Sequence, residues 1–281
     1  MPTGISNDGL NMRLSNDFNK VNKRLLKNIN KLSTGARITQ AADNPAGLAV
    51  ANSLESSASG LRNTLESLHG ASSMMSVAEG GLSQISGILT RAKDLAMQSI
   101  NGTVDSNSRK AMNSEFQGLK NEISRLAGAT EFNGQKLLNG DLAPNSSNRV
   151  NVSVGSPSNP ANQVNINVIE GSNASQLGLQ NTDILTRENA QKALGALGQA
   201  SNQVQANRSN IGALTGRFAQ AASHMGISIE NFTSAAAGIQ ALDYATETSA
   251  FSKNQVQQQA SISSIAQSRM NMVGQLLNIK A

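Results

Sequence analysis

Residues 43–100 read DNPAGLAVANSLESSASGLRNTLESLHGASSMMSVAEGGLSQISGILTRAKDLAMQSI, and this stretch decides the fold. Asp43 and Asn44 are both N-capping residue types, and Pro45 is tolerated in a first helical turn, so a helix is predicted to start here. Beyond it apolar residues recur at alternating steps of three and four: Leu54, Ala58, Leu61, Leu65, Leu68, Ala71, Met75, Ala78, Leu82, Ile85, Leu89, Ala92 and Ala96. One 3-3 step around Leu68 breaks the alternation, a stammer that overwinds a coil locally. At 1.5 Å per residue the seam runs roughly 60 Å, and its many alanines let neighbours approach closely. A helix apolar along one stripe cannot cover it alone. It needs partner helices.

Downstream, Asn101-Gly102-Thr103 supplies turn chemistry, and a second stripe runs Met112, Phe116, Leu119, Ile123, Leu126, which predicts an antiparallel helical hairpin. The Asn-Gly pairs at 133–134 and 139–140 are turn signals. They precede the alternating runs Val150–Val154 and Val164–Val168, with Pro157 and Pro160 between the two, so residues 130 to 180 read as a small β-hairpin region. From Arg187 the helical period returns: Leu197, Ala200, Val204, Asn207, Ile211, Leu214, Phe218, Ala221, Met225, Ile229, Phe232, Ala236, Ile239. Asn207 is the polar exception, readable as a register-fixing seam residue or as a solvated kink. A thinner face follows through Leu242, Val256, Ile262, Ile265, Met272, Leu276 and Ile279, past the Gln-rich run 255–259.

Upstream, a matching sparse stripe comprises Leu10, Leu14, Phe18, Val21, Leu25, Ile29 and Leu32. Both ends are thus helices with too little apolar surface for a private core. Ordering costs about 1 to 2 kcal/mol per residue before burial offsets it, so both ends are expected to fray or be disordered in a monomer. They should fold against each other and against other copies. The predicted class is mainly α: long antiparallel coiled-coil helices from both chain ends with a small β-hairpin region in the middle.

Composition narrows the chemistry. The 281 residues include no Cys, no Trp, one Tyr, six Phe and two His, which excludes disulfide scaffolds, thiolate zinc sites and cysteine nucleophiles. His69 and His224 read as packing or surface residues. No catalytic constellation, metal site or cofactor site emerges, and the middle segment has no His-Glu-x-x-His motif, so the chain is not expected to be an enzyme. Charged residues are 15% of the chain against about 25% in typical proteins, while Ser and Asn supply about a quarter. The surface is therefore largely neutral and suited to contact. The net +5 comes mostly from Arg13, Lys20, Lys23, Arg24, Lys27, Lys31 and Arg37. Without interleaved aromatics this arm does not read as a nucleic-acid module. No apolar run approaches the roughly 20 residues that span a bilayer, so neither nucleic acid nor membrane is an expected partner. Residues 1–8 lack the pattern of a cleaved secretory signal.

At this point the residues resemble a family. Segment 31–50, KLSTGARITQAADNPAGLAV, is similar to the N-terminal signature of bacterial flagellin. Segments 91–103 and 131–138 resemble its core motifs, and Asp243-Tyr244-Ala245-Thr246-Glu247 with Gln258-Gln259-Ala260 resembles its C-terminal signature. The resemblance implies an inner coiled-coil helix over 1–43, a helical core hairpin over 44–130, a β-hairpin and loop region over 131–185, a C-terminal core helix over 186–239 and a C-terminal inner helix over 240–281. It implies a structural subunit, without large outer domains, that polymerises into the flagellar filament and serves swimming motility. A hook–filament junction protein of the same family is the alternative, and the C-terminal signature favours flagellin. Implied partners are other copies of the chain in a helical homopolymer, an export chaperone, the type III export apparatus, junction and cap proteins, and a vertebrate flagellin receptor. The implied location is secreted, in the extracellular filament. Subunit contacts are expected at Leu14, Phe18, Leu25, Leu32, Val256, Ile265, Leu276 and Leu277, each contributing about 1.5 to 3 kcal/mol when buried. The family's receptor patch maps onto Arg91, Leu95 and Glu115.

Overall fold

The computed structural model describes residues 4–155 and 162–278, so the expected loop prolines, Pro157 and Pro160, lie outside the described residues. In chain order the elements are α1 (Gly4–Thr34), α2 (Pro45–Ile100), α3 (Ser106–Ala129), β1 (Glu131–Phe132), β2 (Gln135–Lys136), β3 (Asn151–Ser153), β4 (Gln163–Asn165), α4 (Arg187–Gln240) and α5 (Tyr244–Asn278). The fold is mainly helical, as the periodicity predicts. The chain forms two compact units, one from the residues up to Ser56 together with those from Asn231 on, the other from Ser57–Glu230.

In the Ser57–Glu230 unit the core is a helical layer. Ala58, Leu61, Leu68, Met75, Leu82, Ile85 and Leu89 of α2, Phe116 and Ile123 of α3, and Leu197, Val204, Ile211, Leu214 and Phe218 of α4 are all buried. Leu65 departs from the expected seam: it is half-buried, and Thr64 occupies the buried position with its hydroxyl turned back to the Gly60 carbonyl at 2.9 Å. The 3-3 step therefore falls at Leu61 rather than Leu68. Thr64 can occupy the seam because its own helix satisfies its one polar group.

Asn44 caps α2, accepting from the Gly47 N–H at 2.9 Å, with Pro45 as first helical residue. The α2–α3 connection is the predicted antiparallel hairpin. Asp105 caps α3 through the Ser108 N–H, and the Arg109 guanidinium donates to the Ser99 and Asn101 carbonyls at the end of α2, both at 3.0 Å. Glu79 of α2 accepts from Arg208 of α4 at 2.8 Å.

Two antiparallel ribbons lie between α3 and α4. Asn133 and Gly134, with φ of 50° and 80°, turn β1 into β2, the positive-φ pair that the Asn-Gly signal predicts. β3 and β4 pair Val152 with Val164, and each is shorter than the alternating run that predicted it. The physical reason is Asn167, 5% exposed, whose side-chain oxygen takes the Val150 N–H at 2.8 Å and whose amide donates to the Asn148 carbonyl at 2.7 Å. A side chain there replaces a ladder partner. The other described residues between α3 and α4 are irregular backbone closed over Leu137, Leu138, Leu142, Ile166, Ile169 and Leu179, all buried.

Asn207 settles its two readings in favour of neither. It is 2% exposed, its side-chain oxygen accepts from the Glu170 N–H at 3.0 Å, and its amide donates to the Glu170 carbonyl at 2.8 Å and to Ser172 Oγ at 3.2 Å. With Gln203 donating to the Gly171 carbonyl and Asn210 to the Val168 carbonyl, one face of α4 serves as a substitute strand for residues 168–171.

Candidate assembly interface

The unit formed by the chain ends is built on α1 and α5, which pack antiparallel. Hydrogen bonds and an ion pair mark the register. Ser268 Oγ donates to Asn11 Oδ1 at 2.7 Å, Gln258 Nε2 donates to Asn22 Oδ1 at 3.3 Å, and Lys31 Nζ lies 3.7 Å from Glu247 Oε2 with both side chains mostly buried. Asn28, 7% exposed, places its amide oxygen 3.2 Å from the Phe251 N–H and its NH₂ on the Arg24 carbonyl. These polar residues alternate with Leu14, Phe18, Val21, Leu25 and Leu32 on α1, and with Phe251, Ser261 and Ile265 on α5, all partly or fully buried. Ile29, expected in the seam, is instead 42% exposed, because Asn28 takes the inward place. The hydrophobic pattern hid this, since it scores Ile above Asn at adjacent positions.

Several large apolar side chains of the pair are exposed: Met12, Leu26 and Ile29 on α1, and Val256 (65% exposed), Ile262, Met270 and Val273 on α5. Of the expected subunit contacts, Leu14, Phe18, Leu25, Leu32 and Ile265 are half-buried on the seam side, and Val256 is exposed. Leu276 and Leu277 lie on α5, but their side chains fall outside the described residues, as does that of Leu10.

The connections at the end of the pair are tied to each other. Gly35 ends α1 with φ +67°, and a Cβ there would meet Tyr244 Oη at 2.6 Å. Arg37 donates its N–H to the Gln240 carbonyl at 2.7 Å and its guanidinium to the Ile239 carbonyl at 2.6 Å, beside a bridge between Ala36 and Ala241. Asp243 caps α5 by accepting from the Ala245 and Thr246 N–H groups and the Thr246 hydroxyl. The Thr246 hydroxyl and these N–H groups hold its carboxyl below the usual carboxylate range. Asp43 gathers the other connection: Lys27 Nζ at 2.6 Å, the Thr39 N–H and hydroxyl at 3.1 Å and the Gln40 N–H at 3.3 Å. The Lys27 ammonium, helped by Thr39 and Gln40 against desolvation, holds the Asp43 carboxyl well below its ordinary value.

In the Ser57–Glu230 unit, Arg91 and Glu115 are brought together. The guanidinium Nε and Nη2 reach Glu115 Oε1 at 2.9 and 2.8 Å, with both side chains about half exposed. Leu95 does not join them at the surface. It is 2% exposed, because its helical position falls on the stripe that α2 buries, so its placing in an exposed patch is corrected. His69 and His224 are exposed, His224 lying 3.2 Å from Gln220. Among the described residues no three His, Asp or Glu side chains cluster as a metal site would require, and no helix is long and apolar enough to cross a membrane.

Helices from both ends that pair through a polar seam and expose apolar residues define a structural protein made for contact with copies of itself. Family comparison gives the class its name. Residues 5–143 match the model of the bacterial flagellin N-terminal helical region and residues 194–278 that of the C-terminal helical region. The chain belongs to the bacterial flagellin family and is a structural subunit of the flagellar filament. It is 32% identical to the flagellar filament 30.7 kDa core protein of Treponema maltophilum, over 88% of this chain and 89% of that one. It is 31% identical to the flagellin of Bacillus subtilis, over 92% and 94%. The crystal structure of Bacillus cereus flagellin is similar at TM-score 0.50 and 25% identity, covering 59% of this chain and 89% of that one. A Vibrio parahaemolyticus structure assigned as a flagellar hook-associated protein shares the fold at TM-score 0.59 and 14% identity, covering 71% and 100%.

Proposed function

We propose that copies of this chain join through the faces of the α1–α5 pair that a single chain leaves in water. The observation that carries this reading is the exposed apolar set, above all Val256 and Ile262 on α5 and Met12 and Leu26 on α1. Burying such side chains contributes about 1.5 to 3 kcal/mol each, a favourable contribution toward the ordering of both ends. Contacts of this kind that do not close into a ring generate an open helical tube. Residues 1–43 and 240–281 then supply its inner wall, with Val256 outward, Leu14, Phe18, Leu25, Leu32 and Ile265 on the seam side, and Leu276 and Leu277 as further contacts. Residues 44–130, 131–185 and 186–239 supply the remaining contacts.

The role is mechanical rather than catalytic, and the tube is extracellular. Ends that order only on burial suit passage as an unfolded thread through a type III export apparatus, with a chaperone covering them beforehand. Junction and cap proteins would meet the same surfaces at the tube's ends. Arg91 and Glu115 are the accessible part of a receptor-facing patch. The test is Val256→Asp with Ile262→Asp. Pelletable polymer should disappear while monomer unfolding stays unchanged, and filaments of normal length would defeat the proposal.

A further inference from the structure

We propose that the row of polar pairs between α1 and α5 fixes the register in which the two chain ends join. The inference rests on the assembly reading above and names what makes every copy present the same outward face. Asn11 with Ser268, Asn22 with Gln258, Asn28 with the Phe251 N–H and Lys31 with Glu247 form one continuous antiparallel series. Steps of eleven, six and three residues along α1 are matched by ten, seven and four back along α5, so all four contacts specify the same alignment. An apolar heptad seam alone would not do so, because a slip of seven residues leaves its stripe facing the partner.

A one-heptad slip in either direction breaks the series. One direction sets Asn22 against Phe251. The other sets Asn22 against Ile265 and Ser268 against Phe18. Either slip strands an amide or a hydroxyl against a hydrocarbon, and an unmade hydrogen bond in such a place is penalised more heavily than a made one rewards. Polar residues in a seam weaken it relative to Leu or Ile, so these positions exchange affinity for a single alignment. The α1–α5 pair is thereby stable only in one register, and Val256, Ile262, Met12 and Leu26 always appear at the same height.

The natural chain has no cysteine, so introduced pairs report register without background. Full-length protein carrying Phe18→Cys with Ser261→Cys reports the observed alignment, and Phe18→Cys with Asn254→Cys reports a one-heptad slip that leaves all four polar pairs untouched. Each pair is oxidised in the polymer. With the polar pairs intact, only the first pair should cross-link. With Asn22→Leu and Gln258→Leu added, the second should cross-link to at least a third of the yield of the first, while the reciprocal exchange Asn22→Gln with Gln258→Asn restores a single product. A single in-register product in the double-leucine protein overturns the proposal, as does a slipped product when the polar pairs are intact. Failure of the parent chain to sediment as filaments would overturn the assembly reading instead, and that outcome is read separately from the cross-link pattern.

Discussion

At the scale of single residues, polar side chains hold this molecule in ways that apolar counting misses. Asn207→Leu keeps a helix-compatible, seam-compatible residue yet strips the Glu170 N–H and carbonyl of their partner. Two orphaned backbone groups should cost about 2 to 4 kcal/mol, read as a lower urea midpoint for the Ser57–Glu230 unit. An apolar seam substitution would ordinarily stabilise a coil, so the sign discriminates. Asp43 gives the second residue-scale prediction. Its folded carboxyl is held well below its ordinary value by Lys27, Thr39 and Gln40. A depressed folded pKa contributes stability present above the unfolded value, about 3.9, and lost as pH falls through that value toward the folded one. Amide protection of Thr39 and Gln40 should therefore fall below about pH 4, whereas Asp43→Asn should show low protection at every pH. Neither role was legible in the sequence. Asn207 stood out as an interruption, but its partner is irregular backbone without a period, and Asp43 looked like a helix cap until Asn44 took that place.

Elements were more legible than their contacts. A period of three and four over α2 and α4 follows from one face meeting a core, and the structure buries nearly the stripe expected. The exceptions are pairs of neighbours, Thr64 with Leu65 and Asn28 with Ile29, in which the polar residue faces inward because a hydrogen bond awaits it there. The strand runs were visible but overlong, since Asn167 ends the β3–β4 ladder from the side. At the end of α1, Gly35→Ala forces a left-handed backbone onto an L side chain, costing about 1 to 2 kcal/mol, and drives its Cβ toward Tyr244 Oη. Adding Tyr244→Phe removes the oxygen and should recover part of the loss. A double-mutant cycle on the thermal melting of helix content checks this, with additive losses showing that Gly35 and Tyr244 act independently.

For the whole molecule, the Arg91–Glu115 pair separates folding from assembly. Half-exposed on both sides, it should contribute no more than about 1 kcal/mol to the monomer. Arg91→Ala should therefore leave unfolding nearly unchanged yet shorten filaments and slow swimming, and normal length with normal swimming would count against a packing role. The pairing of Asn11 with Ser268 reaches across 257 positions of the chain. Such a clasp cannot close until synthesis is finished, because ribosomes complete Asn11 long before its counterpart exists. Interrupted translation products lacking α5 hold an α1 that has nothing to zip onto. Under the proposed assembly such products are barred from joining by their own incompleteness, because the joining face exists only where the two ends meet.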